Sequence, residues 1–102
     1  MTKVYLENMI KFEEVIFLID LFPYMKYLQV GCASSIDIEL FVRVILMKIF
    51  NKSNYYLRLL AFRIPTPDDE MVKKLQKMIN FEKFIFDFTI KRFTETIYLQ
   101  WK

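Results

Sequence analysis

The side chains that could do chemistry in this sequence fall into two short acidic clusters. Glu13 and Glu14 are adjacent, and Asp68, Asp69 and Glu70 form a run. Two carboxylates can share general acid and base work if they face one another. Adjacent strand residues point to opposite faces, which would separate the first pair. The second cluster has the acidic character of a helix start, so both clusters are interpreted as structural.

Other catalytic groups are nearly missing from the sequence. It contains no histidine, one cysteine and one glycine, although nucleophilic catalysis needs an activating base and phosphate-binding loops need glycines. Cys32 has no evident cation beside it to lower its pKa. Lys73, Lys74 and Lys77 are interpreted as a solvated helix face. We therefore expect no enzyme activity, no metal or cofactor, and no small-molecule substrate.

The composition indicates one domain, residues 1–102, with more apolar surface than its core can bury. Hydrophobic residues make up 55% and aromatic residues 18% of the chain, which is more apolar surface than 102 residues bury easily. Part of that surface is expected to face a protein partner, and the isolated chain is expected to be poorly soluble or to self-associate. The net charge of +3 is spread without a basic stripe, so direct nucleic-acid binding is not expected. The single cysteine favours an intracellular location, cytoplasmic or nuclear.

Neither apolar stretch predicts a membrane span. Residues 15–22 contain Asp20, and residues 40–50 are interrupted by Arg43 and Lys48. Both are much shorter than the roughly 20 apolar residues that a spanning helix needs. The first residues also lack the basic region and apolar core of a signal peptide. Both stretches are predicted to be core elements.

Residue spacing predicts a mixture of strands and helices in the first half. Residues 3–7 and 10–17 are predicted as two short strands, with a helix as the competing interpretation of the second. A short helix is predicted at 24–28, after a proline. The alternating residues 36–39 predict a strand, and residues 40–49 have the spacing of an amphipathic helix.

The second half has the clearest local signal. Residues 55–64 predict a strand or an extended connection, stopped by prolines. Thr66 is expected to cap a helix that begins at Pro67. The apolar residues within 81–101 fit both the two-residue period of a strand and the 3.6-residue period of a helix, and a helix is favoured. The apolar stripe of the capped helix consists of Met71, Val72, Leu75, Met78 and Ile79.

Several of these stretches resemble a BTB/POZ domain, in particular the elongin C and SCF-adaptor branch. Residues 23–28 resemble the family's "SPYF..L" helix, and residues 36–50 resemble its strand and helix that end near "YIYTG". Residues 62–66 resemble the "F.IPT" segment, and residues 70–81 resemble the "E....LL.AANFL" helix. The Asp-Gly turn usual between the family's first strands is absent. The resemblance implies an α+β fold with a short N-terminal sheet and following helices, against the alternative of an all-α fold.

The resemblance also implies a function and a site. It implies a non-enzymatic adaptor that bridges a cullin scaffold and a substrate receptor in a ubiquitin ligase. The receptor's amphipathic helix would enter a groove beside the capped helix. Phe62, Val72 and Leu75 match the family pocket, with Tyr55 or Tyr56 along its side. The open alternative is that the residues of the capped helix pack on the last helix.

A second class of function stays open from the sequence alone. The chain could be a small, all-α subunit or factor docked on a large assembly such as a ribosome, and strand content would separate the two interpretations. Phe41 and Phe81 are predicted to be core residues in the adaptor interpretation, because each is predicted to lie where a helix meets its neighbour.

Overall fold

The computed structural model describes residues 3–9, 11–33, 36–50, 56–65, 68–82 and 87–101. Strands and helices alternate along most of the chain and end in a hairpin. The elements are β1 (Lys3–Met9), α1 (Phe12–Leu21), β2 (Tyr27–Cys32), α2 (Ile38–Phe50), β3 (Leu59–Arg63), α3 (Asp69–Glu82), β4 (Phe88–Phe93) and β5 (Thr96–Trp101).

The five strands form one mixed sheet in the order β1-β2-β3-β5-β4. β1, β2 and β3 are parallel neighbours, while β5 runs antiparallel to both β3 and β4. Parallel neighbours need a crossover connection, and α1 and α2 supply the two crossovers. The fold is therefore α+β, as the sequence predicts, and the all-α alternative is wrong.

A single apolar core lies between the sheet and the helices. Leu28 and Leu60 project into it from the central strands, and both are fully buried. Phe41 of α2 packs edge-on against Phe62 of β3, with ring centroids 5.9 Å apart. Helix α1 contacts α2, and α2 contacts α3, so the three helices form one layer. No polar or charged residue among the described ones is buried in this core.

Local capping explains where α2 and α3 begin. Asp37 Oδ1 accepts a hydrogen bond from the Leu40 backbone N–H at 3.1 Å, and Asp68 Oδ1 accepts one from the Met71 N–H at 2.7 Å. Each carboxylate satisfies an N–H group that has no partner within its helix. Asp68 therefore caps the helix for which Thr66 was the predicted cap, and Thr66 itself lies outside the described residues.

Several predictions for the first half are wrong. Helix α1 replaces the strand predicted at 10–17, as its competing interpretation allows. A turn and then β2 replace the short helix predicted at 24–28. The strand predicted at 36–39 is the capped start of α2. Residues 24–28 lack a strong local signal, and the pairing of β2 with both neighbours makes residues 27 and 28 part of a strand. The Asp37 cap, in contrast, starts α2 within residues 36–39.

The C-terminal segment forms a hairpin, so the helix favoured for residues 81–101 is wrong beyond the end of α3. In β5, Ile97, Leu99 and Trp101 are buried in alternation, which is the two-residue period of a strand. Helix α2 covers 40–49 and β3 lies within 55–64, as predicted. Of the stripe predicted for α3, Leu75, Met78 and Ile79 are buried, while Met71 and Val72 are half-buried against the core.

None of the helices within the described ranges is long and apolar enough to cross a membrane.

Candidate functional site on the open face of the sheet

The sheet has two different faces. Val4, Leu28, Leu60 and Leu99 are register neighbours across four strands, and all four are buried under the helices. Strand side chains alternate, so the residues between them point the other way. No described element packs over that second face.

Two rows of side chains cross the open face, and we call them together the tyrosine face. Their order follows from the strand registers, in which direct partners lie side by side. The first row is Tyr5, Gln29, Ala61, Tyr98 and Lys91, and the second row is Lys3, Tyr27, Leu59, Gln100 and Thr89.

Three tyrosines form the centre of this face. The Tyr5 and Tyr27 rings lie 6.1 Å apart at an interplanar angle of 49°, and Lys3 Nζ is 5.7 Å from the Tyr27 ring centroid. The Tyr27 hydroxyl donates a hydrogen bond to Gln29 Oε1 at 3.1 Å. Burial, followed by repulsion from Tyr98 and from Tyr5, raises the pKa of Tyr27 above its usual 10.0. The Tyr27 phenol therefore stays protonated near neutral pH and offers a hydroxyl and a ring surface.

A polar hollow adjoins the tyrosine face where β1 to β3 end. It is lined by Glu7, Gly31 and Arg63, with Glu95 on the far side. Gly31 is required there, because a Cβ atom would collide with the backbone carbonyl oxygen of Glu7. The pairing of β1 with β2 shifts between Leu6 and Met9, which is the irregularity that brings this carbonyl close. The only glycine of the chain thus allows β1 to bend over β2.

The predicted site residues do not form one surface. Phe62 and Leu75 are buried in the core, and Val72 is half-buried against it. Tyr56 is exposed, with its ring 5.5 Å from that of Tyr24, near the amino ends of β2 and β3. Tyr55 lies outside the described residues. Phe62 and Leu75 therefore have no exposed surface that a partner helix could contact in this conformation.

The two phenylalanines predicted as core residues differ in outcome. Phe41 has no exposed surface, which confirms that prediction. Phe81 is 83% exposed, so its assignment to the core is wrong. No helix follows α3 in the described residues to cover this ring, and the next described element is the β4–β5 hairpin.

Sequence reasoning missed the tyrosine face. The signal was the two-residue alternation in the strands: Tyr5 and Tyr98 are flanked on both sides, and Tyr27 on one side, by apolar residues that the helices cover. Only the first of these segments was predicted as a strand. The face also depends on the strand order, which joins residues almost a hundred positions apart and which no local pattern specifies.

The described residues contain little that could support covalent or metal chemistry. Burial raises the pKa of the Cys32 thiol from 9.0 to about 12, so it is protonated and unreactive near neutral pH. In the described ranges, no cluster of three or more acidic or cysteine side chains is placed to hold a metal ion. Glu13 and Glu14 lie in the first turn of α1, and Asp69 and Glu70 in that of α3.

Comparison with known proteins gives no relative: no protein-family model, no curated protein and no solved structure matches this chain significantly.

Proposed function

We propose that this protein is a non-enzymatic protein-interaction module that binds its partner through the tyrosine face. The observation that carries the proposal is the three-stranded parallel part of the sheet, which has helices on one side only among the described elements. Parallel sheets are normally covered on both faces. A partner protein would supply the second cover.

The side chains of the open face support a protein as that partner. Tyrosine presents a large ring and a hydroxyl at low entropic cost, and it is enriched at the energetic centres of protein interfaces. Tyr5 is 61% exposed at the edge of the sheet, beside the half-buried Tyr27. Gln29, Gln100 and the threonines can donate and accept hydrogen bonds around these rings.

The charges and ring environments favour a protein over a single-stranded nucleic acid. Nucleic-acid platforms combine open aromatic faces with a groove of consistent positive charge. Here Lys3 already lies over the Tyr27 ring, and Glu7 and Glu95 line the same hollow as Arg63. A surface with both signs of charge suits the mixed polar rim of a protein interface.

The finer functional predictions remain predictions. The predicted function was an elongin C-like bridge between a cullin scaffold and a receptor in a ubiquitin ligase. That prediction was based on an element order that differs from the order of this fold, and on residues that lie largely in its core. The alternative of a small factor docked on a large assembly such as a ribosome is equally compatible with an open binding face. An intracellular location, cytoplasmic or nuclear, stays a prediction as well.

Two exposed tyrosines provide a matched test. Tyr5 lies on the tyrosine face beside Tyr27, whereas Tyr24 is 69% exposed beside Tyr56 and lies outside that face. Tyr5→Ala should reduce recovery of the native partner at least about tenfold in quantitative affinity purification, whereas Tyr24→Ala should leave it unchanged. Both variants should be checked for folding by circular dichroism. Equal recovery with the two variants would overturn the proposal.

A further inference from the structure

The sheet ends in two edge strands, β1 and β4, and each of them pairs with one neighbour only in the order β1-β2-β3-β5-β4. The outer side of an edge strand carries backbone N–H and C=O groups that the sheet itself leaves unpaired. Another extended segment can pair with these groups unless the side chains of the edge prevent it. The side chains of β1 and β4 therefore decide which edge can be extended.

The side chains of β4 oppose pairing with a second β4. This strand contains Lys91 and Arg92 and no acidic residue, and Arg92 already pairs with Asp69 of α3 at 3.2 Å. In a pair of β4 strands, Lys91 would have no acid opposite it in any register. Exposed lysines on edge strands are a common protection against such pairing. The β4 edge is therefore a protected one.

The side chains of β1 have a different arrangement, which is symmetric about Tyr5. Lys3, Tyr5 and Glu7 are exposed on the open face, and Val4 and Leu6 alternate with them on the face that the helices cover. The two charged residues lie at equal distances along the strand on either side of Tyr5, and their signs are opposite. Reversing the direction of such a strand exchanges the positions of the two charges.

This symmetry selects one register for two antiparallel copies of β1. Directly opposite residues of an antiparallel pair point to the same face of the sheet. Within residues 3–7, Lys3 of one copy can therefore lie opposite Lys3, Tyr5 or Glu7 of the other. The register with Glu7 is the one that pairs opposite charges, and it does so twice. It is also the register in which all of residues 3–7 find a partner, with Tyr5 opposite Tyr5.

The two charges are available for this pairing. Neither Lys3 nor Glu7 forms an ion pair with another described residue. Glu7 lines the polar hollow together with Arg63 but does not pair with it. Lys3 Nζ lies 5.7 Å from the Tyr27 ring centroid, a contact that contributes little at an exposed site. The flexible stem of a lysine allows its ammonium group to turn from β2 towards a strand on the other side of β1.

We propose that β1 pairs with β1 of a second copy of this chain, in antiparallel direction and around a two-fold axis that passes between the two Tyr5 residues. Two five-stranded sheets then join into one continuous sheet, with Lys3 opposite Glu7 at two equivalent positions. The axis is perpendicular to the sheet, so both tyrosine faces lie on the same side and adjoin at Tyr5. The dimer does not depend on the proposed function of that face, because the backbone and the two charges of the edge form it.

Analytical ultracentrifugation of the purified chain tests the dimer. The wild-type chain should show a weak monomer–dimer equilibrium, with a Kd on the order of 100 µM, because so short a ladder buries less than the roughly 800 Å² per partner of a stable interface. Lys3→Glu and Glu7→Lys each place like charges opposite one another twice, so each should weaken dimerisation roughly tenfold. Lys91→Glu on the other edge strand is the matched control and should leave dimerisation unchanged.

Mixing the two charge variants separates pairing from folding. In a mixture of Lys3→Glu and Glu7→Lys chains, a strand with two acids meets a strand with two lysines, and both opposite pairs attract. The mixture should therefore dimerise more tightly than either variant alone, and the double variant should dimerise like the wild type. A misfolded variant cannot regain dimerisation in this way. A monomeric wild-type protein, or a mixture that dimerises no better than its components, would overturn the proposal.

A cysteine on the two-fold axis tests the register. Tyr5→Cys should bring two thiols opposite one another, with Cβ atoms about 4.5–5.5 Å apart, close to disulfide geometry. Mild oxidation in air should then link the two copies, whereas Thr89→Cys on β4 should react much more slowly, and the native Cys32 is buried. Equal cross-linking of the two variants would exclude this register. Tyr5→Ala retains both charges, so it should weaken the dimer less than Lys3→Glu does. Failure of the dimer and failure of the tyrosine face as a partner site therefore give different results.

Discussion

The two faces of this sheet share every backbone hydrogen bond, but only one of them is covered by helices among the described elements. On the covered face, Leu28, Leu60 and Leu99 form a continuous apolar row under the helices. The residues next to these leucines in the same strands are Gln29, Ala61 and Tyr98, and they form a row on the face that points away from the helices. Strand pairing is common to both rows. The helices on one side therefore make the difference, because they cover the first row and not the second.

The two faces of the sheet also differ in their charged residues. No charged residue in the described ranges is buried, whereas the open face presents Lys3, Arg63 and Lys91 beside its tyrosines. Burying a charge without a partner is costly, so the buried part of the covered face holds no charged side chain among the described residues. Arg92, on the same face of the edge strand β4, is exposed and pairs with Asp69. The open face tolerates charged side chains because water solvates them until a partner binds. Substitutions on the covered face should therefore affect stability, and substitutions on the open face should affect binding.

The largest expected effect is that of Phe62→Ala on the covered face. This ring is fully buried and packs edge-on against Phe41, so its removal leaves a cavity. The substitution should lower the free energy of unfolding by about 3–5 kcal/mol, a large part of the roughly 5–15 kcal/mol of a small domain. Urea denaturation followed by circular dichroism measures it.

The neighbouring Arg63 provides the control for Phe62→Ala, since its side chain points to the open face and is exposed. Arg63→Ala should change the unfolding free energy by no more than about 0.5 kcal/mol. A Phe62→Ala variant that unfolds normally but loses a protein partner would contradict the difference between the faces. It would also revive the predicted groove of Phe62, Val72 and Leu75.

The next largest loss of stability is expected at Gly31, where β1 bends over β2. Gly31→Ala would introduce a Cβ that collides with the carbonyl oxygen of Glu7, and a backbone atom cannot move aside cheaply. The expected loss is about 1–3 kcal/mol, in the range of overpacking substitutions. Thermal unfolding measures this loss. Ala61→Gly is the comparison on the adjacent strand, where it should cost about 0.5–1 kcal/mol in chain entropy and roughly 0.8 kcal/mol for its buried methyl group, without a backbone collision. A Gly31→Ala variant as stable as the wild type would show that β1 can straighten.

The sequence predicts those elements whose signals are local. Helix α3 was predictable because an acidic start and an apolar stripe coincide, and Asp68 does bond to the Met71 N–H. Helix α2 was predictable from its period, and β3 was recognisable from its branched and aromatic residues before a proline. In each case the information lies within about a dozen consecutive residues.

The elements that could not be predicted depend on distant partners. β2 lies between β1 and β3, so its conformation is determined by strands on either side rather than by its own residues. β4 and β5 pair with each other, and β5 is inserted beside β3, although the phenylalanines before β4 fit two periods equally well. The tyrosine face combines three such strands. Neither its position nor its composition could be obtained from any single segment.

A smaller effect, dependent on pH, tests how closed the covered face is. Burial of Cys32 raises the pKa of its thiol from 9.0 to about 12, so the folded state retains this proton when the unfolded state has lost it. Stability should therefore be unaffected below about pH 9 and should fall by roughly 1.4 kcal/mol per pH unit above it, until the folded thiol also ionises.

Cys32→Ala isolates this contribution, because the difference in unfolding free energy between the two proteins should change between pH 8 and pH 10. Lysines and tyrosines titrate in both proteins and largely cancel in the difference. In native protein at pH 8 the thiol should react with Ellman's reagent only as fast as the domain opens. Rapid reaction of the folded protein would show that Cys32 is accessible and that the covered face is less closed than its burial indicates.

The smallest difference is expected between variants of the adjacent residues Val4 and Tyr5, which lie in one strand but on opposite faces of the sheet. Val4 is buried under the helices, and Val4→Ala should cost about 2 kcal/mol of unfolding free energy. Tyr5 is mostly exposed and makes one ring contact, with Tyr27, so Tyr5→Ala should cost less than about 1 kcal/mol. Partner binding should show the reverse order when both variants are assayed fully folded, with Tyr5→Ala the more harmful. If Tyr5→Ala destabilises the domain as much as Val4→Ala, the tyrosines hold the sheet together and the open face is a structural layer instead of a binding surface.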